Sequence, residues 1–235
     1  MPNSIMSIKS VYKIPSNHRT MVGLSRRFKM RNHLLKSALD LYIHQSTTEV
    51  MIDDLIRHAN VARGTFYNYF KTTHELNIAL TGEMSDEILN IIDPYLLHYS
   101  NSLERMSMGL RLYIFATCKY PIWGKLLTNM GPHHTVRDRK IDEYVSRDLN
   151  LAMQQNLIPK DNVQVLKDLI LGAVYYAIES IQHNQTADDY VSQVMEKLMI
   201  IIGLELFTAH RLSYQVLEKI DKVESHFFSS FKQNE

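Results

Sequence analysis

Apolar residues recur at three- and four-residue steps along most of the chain, the spacing of helices that bury one face. The first such stretch runs from Ser25 to His44, with Phe28, Leu34, Leu35, Ala38, Leu41 and Tyr42 on its apolar side. Residues 1–22 mix Ser, Asn, Pro and Lys without a sustained period and read as a flexible arm, within which Met21, like Met30 beyond it, is an alternative start. Gln45-Ser-Thr-Thr breaks the pattern, and a short helix is predicted from Met51 to His58, with Ile52, Leu55 and Ile56 inward. Ala59-Asn60-Val61 reads as a tight turn, because Asn tolerates the left-handed backbone conformation better than most residues. A second short helix is predicted from Ala62 to Phe70. Two short helices across a brief turn, packed on a longer one, make a three-helix helix-turn-helix unit.

Beyond it the helical period persists. One long helix starts at Thr72 or Thr73, with Thr72 and Glu75 as a capping box, and Pro94 ends or kinks it. Further helices are predicted from Asn101 to Tyr120, from Pro121 to Met130, and from Thr135 to Asn156, with Gly131-Pro132 as a stop. Two very apolar helices follow, from Asp161 to His183 and from Ala187 to His210. A last amphipathic helix is predicted from Leu212 to Phe231, with Val216, Ile220, Val223, Phe227 and Phe231 on one side. With 8 Gly and 6 Pro in 235 residues, breakers are too scarce for a turn-rich β fold. The expectation is an all-α chain: an arm over 1–22, a helix-turn-helix domain over 23–71, and a larger helical body over 72–235.

Charge adds a polarity to this picture. Residues 1–71 carry a balance of +7 and the remainder −6, although the whole chain is only +1. A basic head on an acidic body suggests that the head meets a polyanion; a basic tail with no such role is the plainer alternative. The single cysteine, Cys118, excludes an internal disulfide and a thiolate zinc site, and its apolar surroundings suggest inert core packing. The most apolar run, Leu198 to Phe207, is too short to span a bilayer, and no secretory pattern is visible, so a cytoplasmic protein without membrane contact is expected. His133 and His134 are adjacent on a Gly-Pro loop, a spacing that does not make a shared metal site. No Gly-rich phosphate loop, nucleophile elbow or His-Glu-x-x-His pair occurs, which argues against an enzyme. No cofactor is expected.

The informative segment is Val61 to Leu76, VARGTFYNYFKTTHEL. Val61, Phe66 and Phe70 pin the second short helix to the head's core, leaving Arg63, Thr65, Tyr67, Asn68 and Tyr69 to point outwards. Gly64 allows close approach to a groove. Arg reads guanine through two hydrogen bonds and Thr touches a thymine methyl. Tyr hydroxyls and Lys71 reach phosphates, which set register and not sequence. Arg26, Arg27, Lys29 and Arg31 cluster at the start of the first helix, where the helix dipole does not favour cations and an external phosphate would.

The run Ala59-Asn-Val-Ala-Arg-Gly-Thr-Phe-Tyr-Asn-Tyr-Phe-Lys, followed by Glu75-Leu76, resembles the signature of the TetR family of transcriptional regulators, and the match covers about Leu34 to Leu80. The resemblance implies that Ala62–Tyr69 is the recognition helix, that Arg63, Thr65 and Tyr67 meet bases or nearby backbone, and that Asn68 and Tyr69 meet phosphates. It also implies a homodimer on a palindromic operator, mostly acting as a repressor, released when a small molecule binds the body and spreads the heads. The chain departs from the signature where the turn Gly is Asn60, the capping Ser is Ala62, the Thr opening the preceding helix is Met51 and a Lys of the long helix is Thr73. Asp53 and Asp54 add negative charge beside the DNA-facing region.

In the body, the two apolar helices need burial on two sides, one of which can be a partner subunit. Leu171, Gly172, Tyr175, Met199, Gly203 and Phe207 are the candidate dimer residues, with Gly172 and Gly203 permitting close helix approach. Tyr113, Phe115, Trp123, Tyr144, Tyr175 and Tyr176, with Met106 and Met108, are candidates to line a pocket for an apolar or aromatic small-molecule effector, although core packing explains most of them as well. Two alternatives remain open. One is a DNA-binding protein without an inducer, architectural or regulated by a protein partner, for which a filled body would speak. The other is an activator, distinguished only by operator position.

Overall fold

The computed structural model describes residues 18–135, 139–183, 186–217 and 225–234. Among them there are eleven α-helices, one short 3-10 helix at the C-terminal end and no strand. Helices α1 (His18–Gln45), α2 (Ile52–His58) and α3 (Arg63–Tyr67) form the head. The body holds α4 (Thr73–Leu96), α5 (Ser102–Lys119), α6 (Pro121–Met130), α7 (Pro132–Thr135), α8 (Lys140–Gln154), α9 (Val163–His183), α10 (Tyr190–Ile201) and α11 (Leu206–Tyr214).

The three helices of the head close on one another through Leu34, Leu35, Ala38, Tyr42, Leu55, Phe66 and Phe70, all buried. The turn between α2 and α3 is a complete Schellman motif. Asn60 adopts φ 52°, its N–H reaches the Arg57 carbonyl, and the Val61 N–H reaches back to Ile56. Asn thus supplies the left-handed residue the turn requires. Neither Met51 nor Ala62 makes a side-chain cap to its helix. Thr72 does cap α4, accepting from the Glu75 N–H, while the Glu75 carboxylate accepts from the Lys71 N–H.

α4 is the spine of the molecule: it packs on α1 in the head and on α5, α6, α7 and α8 in the body. Hydrogen bonds and an ion pair tie head to body. Tyr42 donates to Asn77 at 2.6 Å, Asn129 at the end of α6 donates to the Thr48 hydroxyl at 3.1 Å, and Arg31 pairs with Glu83.

Several elements differ from the sequence-based expectation. α1 begins at His18, so His18–Val22 belong to the helix and not to an arm; residues 1–17 lie outside the described residues. α4 runs through Pro94 to Leu96, because Pro94 lies in the last turn and Leu96 is buried at 3% exposure. The expected helix over 187–210 is two helices. Gly203 adopts φ 106° and ends α10 in a second Schellman motif, with Leu204 N–H to the Met199 carbonyl and Gly203 N–H to Ile200. The expected helix over 212–231 is absent as such: α11 ends at Tyr214, Gln215 is extended and Val216 is 85% exposed, while Ile220 and Val223 lie outside the described residues. Its aromatic residues are nonetheless inward. Phe227 and Phe228 are buried, Phe228 lies 4.5 Å from Tyr120 and 5.5 Å from Trp123 between ring centroids, and Glu87 of α4 accepts the Phe227 N–H at 3.1 Å.

Candidate nucleic-acid interface and ligand cleft

The recognition segment sorts its side chains as its short period requires. Phe66 and Phe70 are buried, Thr65 and Tyr69 are half-buried, and Arg63, Gly64, Tyr67, Asn68 and Lys71 are exposed. A Cβ placed on Gly64 meets nothing within 4 Å, so the glycine leaves an open spot on the outward face. The Arg63 guanidinium is not free: it pairs with Asp53 across the turn at 3.2 Å. A hydrogen bond with Tyr67, and then the Asp53 charge, raise the Arg63 pKa above its ordinary value. Sequence reasoning noted the charge of Asp53 but not its partner. Arg26 and Arg27 stand on the first half of α1, where residues 21–29 are all exposed. At 1.5 Å per residue α1 is about 42 Å long, and its buried face starts only at Leu34, so this basic half projects from the head.

In the body, α4, α5 and α8 enclose an apolar cleft lined by Leu89, Ile92, Met106, Leu110 and Val145, with about 30 Å³ of free space. A charged tetrad closes one side. Arg105 donates twice to Asp148, at 3.0 and 2.6 Å, and once to the Tyr99 carbonyl. Arg147 donates to Asp148 at 2.8 Å and to Asp93 at 2.9 Å, and lies 4.9 Å from the Tyr144 ring centre. Burial opposes the charge on Arg147, but the hydrogen bonds to Asp148 and Asp93 outweigh it and raise its pKa. Two cations and two anions make the tetrad neutral, yet its groups remain strong donors and acceptors at the edge of an apolar space.

Residues 34–80 match the family model for bacterial regulatory proteins of the tetR family. Over these 47 residues the chain is similar to the DNA-binding segment of tetR-family regulators. The matched TetR segment spans the second half of α1, α2, α3 and the first turns of α4, the elements that carry the exposed face just described. Solved structures agree on the fold over most of the chain. RolR in complex with resorcinol is 23% identical, covering 84% of this chain and 99% of that one, with a TM-score of 0.75. RolR without ligand is 21% identical, covering 80% and 98%, with a TM-score of 0.71. A protein from Syntrophomonas wolfei described as a TetR-family transcriptional regulator is 18% identical, covering 81% and 98%, with a TM-score of 0.54. No curated protein matches the chain.

The structure disperses the residues that the sequence suggested for a ligand. Tyr144 and Met106 line the cleft. Tyr113 and Trp123 are buried side by side elsewhere, ring centres 5.3 Å apart, with the Tyr113 hydroxyl 2.6 Å from that of Ser85. Met108 is buried, Phe115 is exposed at 39%, and Tyr175 donates to the Thr128 carbonyl. Asp93, Arg105, Arg147 and Asp148 were missed, because no sequence pattern marks charged residues that meet from three helices. Cys118 stands at the surface of α5 rather than in the core. Among the suggested dimer residues, Leu171 and Met199 turn into the protomer's own core, at 5% and 0% exposure. Gly203 serves the turn after α10, and its backbone lies against Pro159. Phe207 is 80% exposed, and no group lies within 4 Å of a Cβ placed on Gly172. The exposed apolar stripe of α9 is Val165, Leu169 and Tyr176, at steps of four and seven, with Gly172 between them. Among the described residues no three metal-ligating side chains converge, and no helix is long and apolar enough to cross a membrane.

Proposed function

We propose that this chain is a transcriptional regulator of the TetR family, a repressor that binds a palindromic DNA operator as a homodimer and releases it on binding a small aromatic effector in the α4–α5–α8 cleft. The observation that carries the DNA half is the outward face of α3, where Arg63, Gly64, Tyr67 and Asn68 are exposed while Phe66 and Phe70 hold the helix to the head. Thr65, at the edge of that face, contacts bases as well. Tyr69 and Lys71 take phosphates, and Arg26 and Arg27 extend the phosphate contacts along the projecting half of α1. The head is assigned to residues 18–71, from the start of α1, and the regulatory body to 72–235. The partner subunit covers the Val165–Leu169–Tyr176 stripe, and two-fold symmetry then matches the palindrome.

The effector half rests on the pairing of an apolar cleft with polar groups at its edge, the arrangement that orients small ligands. On this reading the cleft opens to admit a flat ring between Ile92, Met106 and Val145, with hydroxyls exchanging hydrogen bonds with Asp148 and Arg147. RolR has been solved with resorcinol, a ligand of that chemistry. A second reading draws on the size of the cleft. Its free space of about 30 Å³ holds roughly one water, far below the several hundred Å³ of a drug-sized site, so a regulator controlled by a protein partner is favoured if the cleft does not open.

The test is to select duplexes from a random library with the purified protein, then titrate the enriched sequence at several salt concentrations against a scrambled control, with and without dihydroxybenzenes. Saturation at two protomers per duplex, a steep salt slope and release by the phenol support the proposal. Tight binding that no phenol affects supports the second reading, and a selection that enriches nothing defeats both.

A further inference from the structure

We infer that Asp53 is a specificity-determining residue that holds Arg63 ready for a base edge and away from phosphates. The inference rests on the DNA-binding reading above and goes beyond it.

Asp53 lies in the first turn of α2, and Arg63 is the first residue of α3. Their side chains meet at 3.2 Å on the outward surface of the head, with 58% of the arginine and 53% of the aspartate side chain exposed. Such an exposed pair adds little to stability, so its consequence lies in where it puts the guanidinium. A guanidinium has five N–H donors, and a guanine edge takes two of them through O6 and N7. The Asp53 contact is made at Nη1 and leaves enough donors on the guanidinium for that readout.

On duplex without the right base, Arg63 can gain only by leaving Asp53 for a phosphate. The abandoned carboxylate then stands unpaired beside a polyanion. On the operator Arg63 keeps Asp53 and gains the base edge. The carboxylate therefore penalises the wrong complex more than the right one, which is how specificity is made by a repulsive element. Asp54, its neighbour, provides the internal comparison: it carries the same charge in the same turn but pairs with Arg57 at 3.3 Å and not with the recognition helix.

The experiment compares wild-type full-length protein, Asp53→Asn, Asp53→Ser and Asp54→Asn on a duplex selected by the wild-type protein and on its scrambled control, with folding of each variant followed by thermal unfolding. Asp53→Asn should tighten binding to the scrambled duplex about tenfold and change operator affinity much less, so the ratio of the two falls about tenfold. The salt slope on the scrambled duplex should steepen by about one, the mark of one added phosphate contact. Asp53→Ser should behave alike. Asp54→Asn should shift both affinities together and leave the ratio unchanged. In an Arg63→Ala background, Asp53→Asn should no longer alter the ratio. A wild-type protein that discriminates, with Asp53→Asn discriminating equally or matching Asp54→Asn, overturns this inference alone. A wild-type protein that enriches no sequence overturns the DNA-binding reading and this inference with it.

Discussion

The hydroxyl of Tyr42 on α1 donates to the side-chain oxygen of Asn77 on α4 at 2.6 Å, and both residues are buried. The Asn77 amide in turn donates to the Thr48 carbonyl at 3.5 Å in the turn that precedes α2. One buried pair thus fastens the first helix of the head and the loop beside the DNA face to the spine of the body. Replacing Tyr42 by Phe leaves the Asn77 oxygen buried without its donor, which costs about 1–3 kcal/mol. Denaturant unfolding should show that loss, and an unchanged midpoint would place the link outside the stability of the fold.

Burial raises the pKa of the Tyr42 phenol, and likewise that of Tyr113. Each folded-state pKa therefore lies above the unfolded value of about 10. The folded protein keeps the proton that the unfolded chain gives up. The stability from each tyrosine is intact below about pH 10 and falls by about 1.4 kcal/mol per pH unit as pH rises beyond it toward the folded pKa. Melting curves between pH 8 and 11 should bend downward above 10, and the double substitution to Phe should flatten the bend.

Asp148 carries both arginines of the cleft. Asp148→Ala strands the buried Arg105 and should destabilise the protein by about 3–5 kcal/mol, the loss expected on breaking a buried pair from one side. Asp148→Asn keeps the shape and should lose less. Thermal unfolding distinguishes them, and a loss below 1 kcal/mol for the alanine variant would show that water reaches Arg105.

Gly64→Ala separates folding from binding. Nothing in the protomer meets the added Cβ, and alanine favours a helix over glycine by about 1 kcal/mol. The variant should melt no lower than wild type while binding its operator at least tenfold more weakly. Unchanged affinity in a titration would remove α3 from the groove.

The α9 stripe is tested by charge. Leu169→Asp together with Tyr176→Asp places two carboxylates on the outward face of α9, where exposure is 49% and 66%. Sedimentation at micromolar concentration should show a monomer with an unchanged helical spectrum; a persistent dimer would move the interface off α9.

What the sequence revealed follows contact range. The α2–turn–α3 segment was legible because its signals are local: Phe66 and Phe70 at one helical spacing, Asn60 where a left-handed residue is needed, Thr72 and Glu75 at a cap. The long apolar helices were legible as helices but not as surfaces. Leu171 and Leu169 are two positions apart in one apolar run, and only tertiary packing decides that the first is core and the second exposed. Gly203 read as a helix-contact glycine because its neighbours are apolar on both sides, yet the positive φ it adopts depends on Leu204 finding a buried place. The tetrad draws Asp93, Arg105, Arg147 and Asp148 from three helices, and burying charge runs against the hydrophobic pattern by which helices are read. Nor does spacing show that Asp53 finds Arg63 while Asp54 finds Arg57.

Trp123 is the sole tryptophan of the chain, fully buried, with Phe228 against one edge and Tyr113 against another. The aromatic closure of the C-terminal segment therefore doubles as an optical gauge. Emission from this one indole reports on the junction of α5, α6 and the last residues of the chain without any label. It should be blue in the native protein, and it should redden if Phe228 lifts away, whether or not the rest of the helices melt.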